Sequence, residues 1–440
     1  MVAQEQTQSE AVDDGATMMR WATDLFPICR SLTGEGVRET LRYLQNLLPD
    51  LEVHSIPSGT EAFDWTVPDE WNVTDAFVAD EDGNRIIDFQ QSNLHLVGYS
   101  EPIDQRMTFR ELDPNLHSLP DQPDAIPYIT SYYKRRWGFC LTHDQRTKLA
   151  ENPDREYHVR IDSTLEPGVL NYGDLVIPGE TDEEVFFTTY VCHPSMANNE
   201  LSGVCLLAAL ARRVLARKNR RLTYRFYFGP ETIGAITYLS KHIDHFKAKA
   251  IAGYVISCIG DNRTYSFQSS RSANTLADRT AQHVLNHLVG DYCRYTFLDR
   301  GSDERQYCSP GVDLPVCVLS RSKYMEYPEY HTSHDNLDFI SADGLQGSLD
   351  LCSAIIDALE ANHTFENTCL CEPQLGKRGL YPSLSTKDIR QQVRKTVDLL
   401  AYADGSRDLV AIADKIEQYV GDLIPISTKL FDAGVLRKVS

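Results

Sequence analysis

The chain has 440 residues, with 43 Lys and Arg against 63 Asp and Glu, a formal charge of −20. Apolar residues at 42% and aromatics at 10% are ordinary for a soluble globular protein, and the length allows several domains around one sizeable core. The acidic surplus argues against a general nucleic-acid binder, and no apolar run reaches the roughly 20 residues of a membrane helix.

Residues 1–14 are polar and acidic; they read as a disordered tail, not as a signal or transit peptide. From Thr17 to Leu48 apolar residues recur at helical spacing, interrupted by Ser31-Leu32-Thr33-Gly34-Glu35-Gly36, which predicts two helices joined by a Gly-rich turn. Leu51 to Ile56 alternates like a strand. From Gly59 to Asn152 prolines recur and helical periodicity is lost. Asp75–Ala79 and Arg85–Phe89 flank Glu81-Asp82-Gly83-Asn84, a hairpin signal. Pro127–Tyr133 and Trp137–Cys140 are aromatic-rich strand candidates, so this stretch reads as an inserted β-rich module.

From Tyr157 to His363 strands and helices alternate. Strands are expected at 185–191, 222–228, 250–259, 293–298 and 314–320, and helices at 203–217, 232–246, 274–288 and 344–361. That alternation predicts a layered α/β domain with a largely parallel sheet, whose ligands bind beyond the strands' carboxyl ends. After Cys371 come helices over 386–402, 409–419 and 425–433, a turn at Asp404-Gly405-Ser406 and a terminal strand at 435–439, a winged-helix pattern. Over 381–440 nine Lys/Arg face eight Asp/Glu, a weak electrostatic footprint for DNA. Protein contact or domain docking is the better use. Eleven cysteines are spread thinly, and Cys192, Cys205, Cys258, Cys317 and Cys352 lie in apolar runs. They read as buried reduced thiols of a cytoplasmic protein.

Polar residues gather where strands end. His193 leaves a buried strand into the loop Pro194–Leu201, and Ser202-Gly203 then opens an apolar helix. Glu231 follows Gly229-Pro230 at a helix start; it suits a favourable charge at a helix N-terminus or a general base. Arg300-Gly301-Ser302-Asp303-Glu304-Arg305 reads by itself as a charged surface turn. Tyr330-His331-Thr332-Ser333-His334-Asp335 places two His three residues apart, a spacing suited to metal binding if an acid joins from elsewhere.

This order of strand–His, strand–Glu, Ser-Asp and Tyr-His-Thr resembles the zinc aminopeptidase clan, which includes bacterial leucyl aminopeptidase and glutaminyl cyclase. The longer runs Val67–Asn72, Ser131–Tyr133, Trp137–Cys140, Cys192–Gly203, Pro230–Gly234 and Arg378–Pro382 resemble a bacterial group often labelled polysaccharide-biosynthesis proteins. The resemblance implies an α/β, zinc-exopeptidase-like three-layer αβα domain (1–58 and 156–365), an inserted β-rich module (59–155) and a C-terminal winged helix (366–440).

By position in the clan's pattern, His193, Asp303 and His331 match metal ligands and Glu231 the general base. The clan's bridging Asp is replaced by Asn199, and its second-metal Glu by Thr232. Two dications need such anionic charge between them. The expectation is therefore one zinc on His193, Asp303 and His331. Asn199, Glu200 and His334 are weaker candidates for substrate contact, and Glu200 is an alternative ligand. Glu200, Glu326 and Glu329 are candidates to hold a substrate α-amine. Tyr132, Tyr133 and Trp137 of the insert could line a binding wall. The implied function is zinc-dependent hydrolysis of a small aminoacyl or peptide-like amide. The alternatives are zinc-dependent acyl transfer or cyclisation, and a non-catalytic metal-binding interaction protein. No nucleic-acid or membrane partner is expected; a homo-oligomer or a protein partner through the winged helix is.

Overall fold

The computed structural model describes residues 14–131, 133–380 and 387–439. The expected tail (apart from Asp14), Tyr132, the Tyr381-Pro382 end of the Arg378 run and Thr386 lie outside the described residues.

The strand Glu184–Tyr190 is buried throughout and is the centre of an eight-stranded sheet. Its side chains alternate between two cores. Val185, Phe187 and Val191 enter one, and Phe186, Tyr190 and Cys192 the other. Burial on both faces is why the segment reads as a continuous apolar run. Thr223–Gly229 and Ala250–Ile256 pair with it in parallel on opposite sides, and Val316–Ser320 continues the parallel set. The antiparallel strands Glu52–Pro57 and Val169–Ile177 extend one edge. Ser266–Gln268 and Cys293–Tyr295 complete the other.

The helices Asp14–Leu25, Ser202–Ala216, Leu276–Leu288 and Ala342–Ala361 cover one face, and Ile233–Lys249 lies on the other. The chain leaves Glu184–Tyr190 first to one neighbour and then to the other. Strand order therefore reverses there, and a crevice opens at its carboxyl end.

The insert is a four-stranded antiparallel sheet in the order Arg85–Asp88, Glu70–Ala79, Glu156–Glu166, Ile103–Thr108. The strand Glu156–Glu166, on the α/β side of the boundary expected at residue 156, thus pairs with the insert. The described residues of Pro127–Tyr133 form no strand of their own. They make isolated bridges from Pro127 to Thr332 and from Thr130 to Gly98. Proline lacks the amide that a continuous ladder needs.

The C-terminal unit has helices Lys387–Tyr402, Leu409–Lys415 and Val420–Asp432 and a three-stranded antiparallel sheet. Asp404-Gly405-Ser406, expected as a turn, opens the strand Asp404–Asp408, with Gly405 at φ 80°. The last helix begins at Val420 and carries Pro425 inside it. It packs on Ala342–Ala361, and its core is continuous with that of the α/β domain. Buried His283 fastens the junction: Nδ1 lies 2.6 Å from Asp414 Oδ1, and Nε2 accepts the Val420 amide at 2.8 Å. Arg279 adds a two-pronged pair to Asp408. All five cysteines expected to be buried are buried free thiols. Among the described residues no helix is long and apolar enough to cross a membrane.

His283→Ala strands the buried Val420 amide and should lower unfolding free energy by about 1–3 kcal/mol in urea titration. It should also speed proteolytic release of the C-terminal unit; unchanged stability and cleavage would show that the junction is held elsewhere.

Candidate functional site

At the carboxyl end of Glu184–Tyr190 the Val191 amide bonds Gly229 O at 2.8 Å, and the chain then turns away from the sheet with His193. Glu200 reaches back beneath that turn. Its Oε2 accepts the amides of Cys192 (2.9 Å) and His193 (2.5 Å) and lies 3.0 Å from His193 Nδ1. Its Oε1 accepts Arg30 Nε at 2.7 Å. Arg30 and Glu200 side chains are both 0% exposed.

Ala197–Leu201 forms a wider, π-type turn before the helix Ser202–Ala216, a local form frequent at functional sites. Asp335 caps it, accepting the Asn198 amide at 2.5 Å, the Asn199 amide at 3.0 Å and the Tyr327 hydroxyl at 2.9 Å. Burial raises the Asp335 pKa to about 6 against those bonds. Asn199 Oδ1 accepts the Tyr190 hydroxyl at 2.8 Å, while its Nδ2 is buried without a hydrogen-bond partner among the described residues.

Glu231 follows the strand Thr223–Gly229. Its Oε1 accepts the Ser302 hydroxyl at 2.6 Å, and its amide donates to Cys192 Sγ at 3.4 Å. Burial pushes its pKa up, against the opposing pull of His193, the Ser302 bond and Arg305. Thr232 sits at φ 62°, a strained value for a β-branched residue. It is held by its amide to Asp303 Oδ1 (2.7 Å) and by Arg305 Nη2 to its hydroxyl (2.6 Å). Ser195, Cys258 and His331 also have positive φ, at 42°, 50° and 56°. Strained backbone of this kind clusters at sites the surrounding fold over-determines.

Asp303 is fully buried, and its Oδ2 has no hydrogen-bond partner among the described residues. Burial first, then the neighbouring Glu231 charge, hold its pKa well above the usual carboxylate range. Its turn is anchored by Glu304 Oε1, which accepts Gln268 Nε2, the Gly301 and Ser302 amides and the Tyr324 hydroxyl. His331 Nε2 is likewise buried and unpartnered. Burial and the adjacent His193 lower the His331 pKa to about 3, so its imidazole is neutral, the form that ligates metal. For His193, burial is the largest influence and works against protonation, but the Glu200 bond together with the Glu200 and Glu231 charges outweighs it and the pKa rises.

The insert closes the site. Tyr128 donates its amide to His331 O at 2.8 Å, and Ile126 and Ser333 exchange bonds. The Tyr128 ring stands 5.1 Å from the His193 ring and 5.0 Å from the His331 ring, and the two imidazoles are 5.3 Å apart.

The expected residues are thus placed as follows. Glu231 and Asp303 are close enough to perturb one another, and the rings of His193 and His331 face one another. The donor atoms of His193, Asp303 and His331 do not form a cluster within 4.8 Å. Among the described residues that span holds only Cys192, His193 and Glu200. Glu200 is engaged by Arg30, and Glu329 by Arg263, while Glu326 is exposed. His334 lies on the rim, 39% exposed and 3.4 Å from Asp124. Tyr133 is exposed, 6.0 Å from the Trp65 ring.

A family model described as a domain of unknown function, DUF4910, matches residues 19–362, and a winged helix-turn-helix model matches 363–438. The chain belongs to the DUF4910 family. A relative from Clostridium acetobutylicum, provisionally named a polysaccharide biosynthesis protein with aminopeptidase-like domain, is 43% identical over 405 residues, 92% of each chain. A crystal structure from the same organism, provisionally titled a peptidase, matches with TM-score 0.90 at 40% identity over 97% of each chain. The zinc aminopeptidase of Bacillus subtilis matches at TM-score 0.55 and 13% identity, over 78% of this chain and 93% of its own. At that identity the likeness is one of fold: this DUF4910 member has an aminopeptidase-like α/β domain, an inserted β module and a winged helix.

Sequence reasoning gave no role to Arg30, Tyr128, Ser302, Arg305 or Asp335. Ser302 and Arg305 lie beside Asp303 in the chain; Arg30 and Tyr128 arrive from distant segments without a local signal. Glu304→Ala should leave several buried donors unmet and cost roughly 3 kcal/mol in urea unfolding; a loss below about 1 kcal/mol would remove Glu304 as the anchor of the Asp303 turn.

Proposed function

We propose that this protein is a metal-dependent amide hydrolase of aminopeptidase type, acting on a small aminoacyl or peptide-like substrate. In this reading one zinc ion is held by His193, Asp303 and His331, and Glu231 is the general base. The observation that carries it is the buried Glu231–Asp303 pair, with Glu231 beside His193, the His193 and His331 rings 5.3 Å apart, and Asp303 Oδ2 and His331 Nε2 without a hydrogen-bond partner among the described residues. Buried carboxylates that repel one another call for a cation.

The donor set suits one ion of zinc's chemistry: two imidazoles and one carboxylate leave a coordination position open. It does not suit two ions. Asn199 offers a neutral amide, and at Thr232 the Arg305 guanidinium is hydrogen-bonded where a second dication would need an anion. When bound, such an ion supplies Lewis acidity to water and to a carbonyl oxygen.

The chain's own residues supply the proton transfers. Glu231, raised in pKa by burial, takes a proton from the attacking water and returns it to the leaving amine. The Ser302 hydroxyl fixes which carboxylate oxygen faces the reaction. The unpartnered Asn199 amide is a donor suited to a substrate carbonyl. Tyr128, from the insert, forms a wall beside both imidazoles and restricts the volume a substrate can use. Glu200, enclosed by Arg30 and backbone amides, supports the site from behind and does not meet substrate. The winged helix serves domain docking in this reading, because its third helix, the element that would enter DNA, packs on Ala342–Ala361.

Metal analysis of purified protein should find close to one zinc per chain, lost in His193→Ala and in Asp303→Ala. Glu231→Gln should keep the metal and lose about 10²–10⁴-fold in turnover of aminoacyl amides. Unchanged metal content in both ligand variants, or full turnover in Glu231→Gln, would overturn the assignment.

A further inference from the structure

Arg30 lies far along the chain from every residue of the site, in the segment between the helices Asp14–Leu25 and Glu35–Leu47. It is 1% exposed, and burying a guanidinium is costly unless its donors are used. Its Nε is shared between Glu200 Oε1 (2.7 Å) and the carbonyl oxygen of His193 (3.0 Å). Its Nη1 donates to Leu25 O at 2.8 Å, at the carboxyl end of the first helix, where a cation is favoured. Ser195 Oγ adds a bond to Phe26 O at 3.0 Å, so the same N-terminal segment grips the loop on both sides of Pro194.

We propose that Arg30 and Glu200 are positioning residues that fix the ring and tautomer of His193. The proposal deepens the metal-site reading, because it rests on His193 being a ligand. An ionised carboxylate only accepts hydrogen bonds. Glu200 Oε2, paired through its other oxygen with Arg30, therefore requires the proton of neutral His193 to sit on Nδ1. Nε2 is left as the nitrogen free to ligate. The backbone bonds from Cys192 and His193 to the same oxygen set the direction in which the imidazole leaves the strand. A carboxamide at 200 cannot reproduce this: one of its two ends is an NH₂, which would face either Arg30 or the imidazole and two amides. Arg30 does what a lysine would not, spreading its bonds over two nitrogens of one plane, Nε toward Glu200 and His193 O and Nη1 toward Leu25 O.

The test uses the full chain, with zinc as the probe and two readouts. Nitrogen-15 spectra of metal-free protein, recorded at a pH high enough for His193 to be neutral, report its tautomer, and chelator competition reports zinc affinity. Wild type should show the Nδ1–H form. Glu200→Gln should redistribute the proton between the two nitrogens and weaken zinc roughly 10–100-fold, the range for loss of a supporting partner to a metal-bound imidazole. Arg30→Met alone leaves a buried unpaired carboxylate and should be markedly less stable. The double variant Arg30→Met with Glu200→Met removes both charges and should recover the fold but not the tautomer or the affinity. If it keeps wild-type tautomer and zinc affinity, the pair is structural only and the proposal fails. If wild type binds no zinc but shows the Nδ1–H form that Glu200→Gln abolishes, the metal reading fails and the positioning role stands.

Discussion

Most of the site is assembled around one buried carboxylate. Glu200 joins the distant N-terminal segment, through Arg30, to the end of the central strand, through the amides of Cys192 and His193 and the His193 ring. A buried ion pair of this kind adds little net stability, since desolvation offsets much of the attraction. Its effect is on geometry. With both partners fully buried, their bonds to the loop after Glu184–Tyr190 hold it in an arrangement that points His193 away from the sheet.

The sheet topology explains why the other polar residues meet there. The central strand hands the chain first to one parallel neighbour and then to the other, which opens a crevice at its carboxyl end. His193, Glu231 and Cys258 all follow strands of that parallel set, and Asp303 and His331 arrive from loops on the same side. Four residues with positive φ, Ser195, Thr232, Cys258 and His331, are strand-end turns that a glycine would make without strain. Side chains are kept there, and hydrogen bonds such as Asp303 to the Thr232 amide hold the conformation. The Asp303 turn in turn depends on Glu304 and the four donors it gathers.

Much of this was legible in the sequence. Strands buried on both faces read as apolar runs, and alternating helices marked the parallel sheet, so the layered fold and the winged helix could be read directly. His193, Glu231, Asp303 and His331 were visible as polar residues at strand ends. Long-range pairings were not. Nothing local shows that Arg30 reaches Glu200, or that the insert's Ile126 to Tyr128 runs against His331 to Ser333. Glu200 sits in a polar loop and reads as a substrate contact or an alternative ligand, yet it is fully buried and paired with Arg30 from the N-terminal segment. Pro127–Tyr133 misled in the opposite sense: its aromatic residues suit a strand, but its described residues make only isolated bridges, and Tyr128 stands beside His193 and His331.

The central claim is that this aminopeptidase-like scaffold carries a one-metal site, with the second ion's place given over to Asn199, Thr232 and Arg305. The most direct measurement is a crystal structure of zinc-loaded protein with anomalous data at the zinc edge. The account predicts a single peak ligated by His193 Nε2, Asp303 and His331, with Glu200 bonded to His193 Nδ1 and not to the metal. Two peaks bridged at Asn199, or one peak on Cys192 and Glu200, would contradict it.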